Sequence, residues 1–137
     1  MNVQDVEIKG LLQNHKKITV IGMSSDSSKP SHKIPFFLKS KRYDVVAVHP
    51  EFDEIAGIKV FRKLQDVPAD YRRFLDIFRR AEAIPQLIDE ILALGGTEVI
   101  WLQLGITHPS AEEKAETQGL KVISDRCIHI EHVKFFG

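Results

Sequence analysis

A glycine that closes a β-branched run and opens a string of hydroxyl residues is suited to holding phosphate. Here Ile18-Thr19-Val20-Ile21 leads into Gly22-Met23-Ser24-Ser25-Asp26-Ser27. This is the place of a G-x-G-x-x-G nucleotide fingerprint, with Ser24 and Ser27 where the second and third glycines would stand. The second glycine ordinarily lets a pyrophosphate approach the backbone, and the third lets helix and strand pack closely. An NAD site also wants an acid after the second strand for the ribose hydroxyls. That place holds His49-Pro50, with Glu51 beyond the proline. The loop is therefore compatible with a nucleotide phosphate, and a standard NAD site is disfavoured. Lys29, Ser31, His32 and Lys33 follow, and would add cations and free helix N–H groups to an anion site. The same residues would also make a solvated loop with an N-cap at Ser31.

Other candidate groups lie further along. Arg79 and Arg80 follow the apolar stretch Phe74–Phe78. Adjacent side chains on an extended end point to opposite sides, so one of the pair, Arg79, is expected to face a ligand and the other solvent. Gln103 stands two residues after Trp101 and offers both donor and acceptor, whereas Trp101 itself reads as core. Gly105 suggests a close backbone approach or a positive φ. Cys127 is the only cysteine. It is either an inert space-filler or a thiol at a ligand-binding edge. Cys127, His129 and His132 could be drawn as metal ligands, but no fourth ligand accompanies them. Ser24, His32 and Asp125 could be drawn as a triad, but no G-x-S-x-G elbow supports it.

These residues need a scaffold. Asp5 to Asn14 reads as an amphipathic helix. Ile18–Gly22, Asp44–Val48, Ile58–Phe61, Arg73–Phe78, Glu98–Leu104 and Lys121–Ser124 read as strands, mostly buried on both faces. Between them, helices are expected from Ser31 onward with Pro35 in the first turn, from Ile84 to Leu94 ending at Gly95-Gly96, and from Ser110 to Gln118. Asp125 to Gly137 reads as a tail. Strands alternating with helices predict an α/β, doubly wound, mostly parallel sheet with helices on both faces. Such sheets take ligands beyond the C-terminal strand ends, which gathers Gly22–Ser31, His49–Phe52, Phe78–Arg80, Gln103–Thr107 and Asp125–Cys127 at one edge.

Composition agrees with one domain. The chain has 137 residues, 43% hydrophobic and 28% charged, with 19 Lys+Arg balancing 19 Asp+Glu. That is ordinary globular composition, and a zero net charge argues against nucleic-acid binding by bulk charge. One cysteine excludes an internal disulfide and fits a reducing compartment. The residues after Met1 lack a signal-peptide pattern, and no apolar run approaches a membrane span, so a cytoplasmic location is expected.

Several motifs taken together are more specific than any one alone. They are Val20-Ile21-Gly22-Met23-Ser24, Lys29-Pro30-Ser31-His32, Val48-His49-Pro50, Asp76-Ile77-Phe78-Arg79-Arg80, Trp101-Leu102-Gln103-Leu104-Gly105-Ile106 and Asp125-Arg126-Cys127-Ile128. The set resembles the small stand-alone CoA-binding proteins, single-domain relatives of the CoA-binding domain of the succinyl-CoA synthetase alpha subunit. The resemblance runs from about Ile18 to His132. It implies a Rossmann-like fold and non-covalent binding of coenzyme A. On this chain it implies ligand contacts from Met23, Ser24, Lys29, Ser31 and His32, then from Pro50 and Phe52, then from Phe78, Arg79 and Arg80. Gly22, Gln103, Gly105, Ile106 and Cys127 join them at the strand ends, Cys127 beside the pantetheine arm. One departure is His49, where the family usually carries Asn.

The resulting expectation is a protein that binds CoA, an acyl-CoA or a CoA disulfide and carries no catalytic constellation of its own. Two other readings stay open: a small NAD(P)-binding oxidoreductase or sensor, and an acyl-CoA ligase component that needs a partner chain. An oligomer is equally compatible with the sequence.

Overall fold

The β-branched runs and amphipathic segments resolve into seven strands and five α-helices in a computed structural model describing residues Met1–Gly137. In chain order these are α1 (Val3–Asn14), β1 (Lys17–Ile21), α2 (Pro30–Ser40), β2 (Asp44–Val48), β3 (Glu54–Ile55) and β4 (Ile58–Phe61). They continue with β5 (Phe74–Ile77), α3 (Ile84–Leu94), β6 (Val99–Leu102), α4 (Pro109–Thr117), β7 (Lys121–Ile123) and α5 (Ile128–Phe136). The sheet order is β3-β4-β2-β1-β5-β6-β7. Every pairing is parallel except β3 with β4. The chain builds outward from β1 to one edge, then crosses to lay β5 on the other side of β1. The strand order therefore reverses between β1 and β5, where a crevice opens in doubly wound sheets.

Period-two alternation splits the buried residues into two cores. One has 18 residues, among them Ile18, Val20, Phe74 and Trp101, and lies under α1, α2 and α5. The other has 14, among them Ile21, Ile77, Ile100 and Leu102, and lies under α3 and α4. Helices thus cover both faces, as buried parallel strands require. Trp101 is fully buried and donates its indole N–H to the Arg126 carbonyl at 2.9 Å. No helix is long and apolar enough to cross a membrane.

Three local expectations change. α2 starts at Pro30, with Lys29 at the N-cap and no side-chain cap, so Ser31 lies inside the first turn and is not the cap. Proline's fixed φ suits the first helical position. As a result Pro35 sits in the helix interior rather than its first turn. The stretch read as a tail contains helix α5, which buries Ile128, Glu131 and His132 on one face. Arg126–Glu131 (3.0 Å) and Lys134–Asp5 (2.9 Å) fasten it. The short strand β3 was not foreseen. It pairs with β4 through Ala56 and Gly57, both at positive φ (46° and 91°), the backbone of a tight hairpin turn.

Candidate functional site

The C-terminal ends of β4, β2, β1 and β5 border a cleft of about 760 Å³. Hydrogen bonds between these ends fix its floor. Gly22 N–H donates to Val48 O (3.2 Å), Phe78 N–H to Ile21 O (2.8 Å) and His49 N–H to Phe61 O (3.0 Å). Gly22 has φ +90°, and a Cβ there would overlap the Phe78 carbonyl oxygen. The glycine is thus required by the closure of β1 on β5, whatever ligand sits above it.

The loop after β1 is latched to α2. Ser24 N–H donates to Ser31 O at 3.3 Å, and His32 Nδ1–H donates back to Ser24 O at 2.8 Å. Asp26 is exposed and accepts from Ser28 N–H (2.9 Å) and Ser28 Oγ–H (2.7 Å) within the loop. The Ser28 hydroxyl, ahead of its amide, holds the Asp26 carboxyl below the usual carboxylate range. The first turn of α2 is left open: Lys29 makes no cap, Pro30 has no N–H, and the Ser31 amide has no intramolecular partner. An uncapped helix start at a cleft is a place for an anion.

Charge reinforces this. The cleft is bordered by Lys29, Arg62, Lys63 and Arg79, against one acid, Glu90. The ion pairs of the chain include Lys17–Asp70, Arg73–Glu98 and Lys121–Glu7, and none engages Lys29, Lys63 or Arg79. In a chain of zero net charge, unpaired cations have gathered at the cleft.

The structure brings together Gly22, Met23, Ser24, Lys29, Ser31, Pro50, Phe78 and Arg79 at this cleft. Met23 is fully buried and forms floor. His49, in place of the expected Asn, also borders the cleft, and its Nδ1 accepts from Glu51 N–H at 3.0 Å. Phe52 stands behind it, ring centroids 4.7 Å apart. His32 is half-buried and braces the loop. Arg80 lies off the cleft, in a shallow depression with Arg79, Glu82 and Ala83, as the alternation of the two arginines implied.

Gln103 lies away from the cleft. It is buried, its Nε2 donates to Asp76 Oδ1, and its Oε1 accepts from Ile128 N–H at 3.3 Å. Helix α5 covers the end of β6 where Gln103 follows it. Gly105 has φ +85° and donates its N–H to Asp125 Oδ1 at 2.7 Å, so it serves a turn. Ile106 packs on the α3/α4 core, and Cys127 is half-buried at the N-cap of α5. None of these borders the cleft. His129 stacks on Phe37 at 3.8 Å, and no three His, Cys, Asp or Glu side chains are grouped to hold a metal.

Sequence reasoning missed Arg62, Lys63, Gln65 and Leu87 as cleft residues. The first two had a signal: they follow a strand, β4, whose end must lie beside the end of β2. Asp76 was noticed only as part of a motif. It is fully buried on β5, opposite Val20 and Trp101 in register, with Oδ2 lacking any partner. Burial pushes its carboxyl up to about 7, partly offset by the Gln103 hydrogen bond.

Residues 16–133 match the CoA binding domain family, and this chain belongs to it. It is 32% identical over 133 residues to the uncharacterized protein YneT of Bacillus subtilis, covering 96% of both chains. It is 22% identical over 134 residues to the ADP-forming acetate–CoA ligase of Methanocaldococcus jannaschii, covering 93% of this chain and 19% of that enzyme. A solved structure from Thermus thermophilus superposes with a TM-score of 0.88 at 36% identity, covering 99% of this chain and 100% of the other.

Proposed function

We propose that this chain binds coenzyme A non-covalently in the β1/β5 cleft and acts as a CoA-binding module without catalytic residues of its own. The observation that carries the reading is the open first turn of α2 facing unpaired Lys29 and Arg79 at the switch in strand order. CoA fits that chemistry. Its diphosphate takes the Ser31 N–H and the two cations, and its adenosine lies toward His49 and Pro50. Its pantetheine arm runs past Phe78 and Arg79 toward the β6 and β7 ends, where Gly105, Ile106 and Cys127 lie. Free CoA, acyl-CoA and CoA disulfide share all but the last of these contacts.

An NAD(P) site fits less well, because the acid nearest the β2 end, Glu51, does not border the cleft. A part in acyl-CoA ligation with a separate chain is the second reading, favoured by the match to part of an acetate–CoA ligase. The single, free cysteine suits a cytoplasmic setting.

A thermal-shift titration tests the proposal. A ligand at 100 times its Kd adds roughly 2.7 kcal/mol of stability, so CoA should raise the melting temperature well above the effect of equal NAD. NAD ahead of CoA would overturn the reading.

A further inference from the structure

We infer that Arg62 and Lys63 form a second anion subsite that reads the ribose 3′-phosphate and makes the cleft selective for 3′-phosphorylated adenine nucleotides. The inference rests on the CoA reading and sharpens it. β4 pairs with β2 in the register Val48↔Phe61, so the residues after each strand, His49-Pro50 and Arg62-Lys63, lie side by side. Across the cleft the strand ends follow the order β4, β2, β1, β5. The Arg62–Lys63 pair therefore stands two strands, about 10 Å, from the phosphate loop after β1. A ribose that carries phosphate at both its 5′ and 3′ positions spans such a step with the reach of two long side chains.

Arg62 is already oriented for this. Its Nε donates to Asp53 Oδ1 at 2.8 Å and its Nη1 to Pro50 O at 3.3 Å, which leaves Nη2 without a protein partner. Asp53 thus holds the guanidinium from behind. Lys63 has no acid partner and sits at the same border. An NAD site places an acid at the end of β2 to accept ribose hydroxyls; here His49-Pro50 stand at that end, and the two cations stand beside it at the end of β4. A ribose phosphate gains charge-assisted contacts there that a bare ribose hydroxyl does not.

The test is calorimetric titration with CoA and with dephospho-CoA, on wild type and on the Arg62→Ala/Lys63→Ala double variant. Both side chains are exposed, and an unchanged thermal melt of the free variant checks the fold. Wild type should bind CoA about tenfold or more tightly than dephospho-CoA. The double variant should bind both with the wild-type affinity for dephospho-CoA. Lys63→Gln should fall between. Equal binding of the two nucleotides by wild type would overturn the inference while leaving the CoA reading intact. So would a variant that weakens both by one factor. Failure of wild type to bind either would overturn the CoA reading itself.

Discussion

The backbone N–H of Ser24 donates to the carbonyl oxygen of Ser31, the carbonyl that Pro35 leaves without its i+4 donor in helix α2. A proline inside a helix removes one hydrogen bond and pushes that carbonyl aside. Here the loop after β1 takes the freed acceptor, and His32 closes the latch in the other direction. Pro35→Ala would restore an N–H that competes for Ser31 O. The expected result is an equal or higher melting temperature together with CoA affinity weakened by about fivefold, near 1 kcal/mol. Affinity unchanged in the variant would mean that the latch does not shape the site.

Lys29 and Arg79 should each carry charge to the diphosphate. Both border the cleft and neither has an acid partner. Charge-assisted contacts are worth roughly 1.5–3 kcal/mol where partly shielded. Lys29→Ala and Arg79→Ala should therefore weaken CoA binding by roughly tenfold or more, and added salt should reduce the wild-type affinity in the same direction. Titration of both variants at two salt concentrations checks this. Wild-type affinity in both would remove these side chains from the site.

Asp76 predicts a pH dependence of the fold. Burial raises its carboxyl to about 7, from about 4 in an unfolded chain. A raised folded value means that the native state holds the proton longer. Stability linked to this group is fully present below about pH 4 and is lost as pH rises through about 7, on the order of 4 kcal/mol in all. Asp5, Asp70 and Glu98 act in the opposite sense, since hydrogen bonds from Lys134, Lys17 and Arg73 hold them low. The difference between wild type and Asp76→Asn cancels those groups. Denaturant unfolding at several pH values should show the wild type losing ground to the variant between about pH 4 and 8. A difference that does not vary with pH would contradict a buried, neutral Asp76.

Cys127 tests where the pantetheine arm goes. It is half-buried at the start of α5, outside the cleft that the loop after β1 borders. Treatment with diamide in the presence of CoA should join its Sγ to the CoA sulfur, each thiol giving one hydrogen to the diamide. Mass spectrometry should show one added CoA, lost on reduction and absent from Cys127→Ser, whose reversible CoA affinity should stay near wild type. Unmodified wild type with CoA bound would make Cys127 a packing residue.

Much of the fold was legible because its strands are short, β-branched and buried on both faces, and because Gly95-Gly96 stops α3. The readings of the C-terminal segment and of Gln103 share a cause: each depended on a neighbour distant in sequence. Ile128, Glu131 and His132 already had helical spacing, but two histidines and several charges obscured the apolar face until α1 and α2 supplied its cover. Without α5 in place, Gln103 looked like an open strand-end residue, whereas with α5 it bridges Asp76 to Ile128. The cleft was legible from Gly22, Lys29, Pro50 and Arg79, since each follows a strand by rule. Arg62 and Lys63 follow β4 by the same rule but lie in no motif, and only the β2–β4 register sets them beside Pro50.

At 15.6 kDa the chain suits backbone NMR, and the most direct measurement is the movement of its amide signals as CoA is added. Binding in the β1/β5 cleft predicts the largest shifts at Gly22, Ser24, Lys29, Ser31, Phe78 and Arg79. Smaller shifts are expected at His49, Arg62 and Lys63, and almost none at Asn14, Lys17 and Glu98 on the opposite edge of the sheet. Shifts centred on that opposite edge, or no shifts at millimolar CoA, would contradict the account.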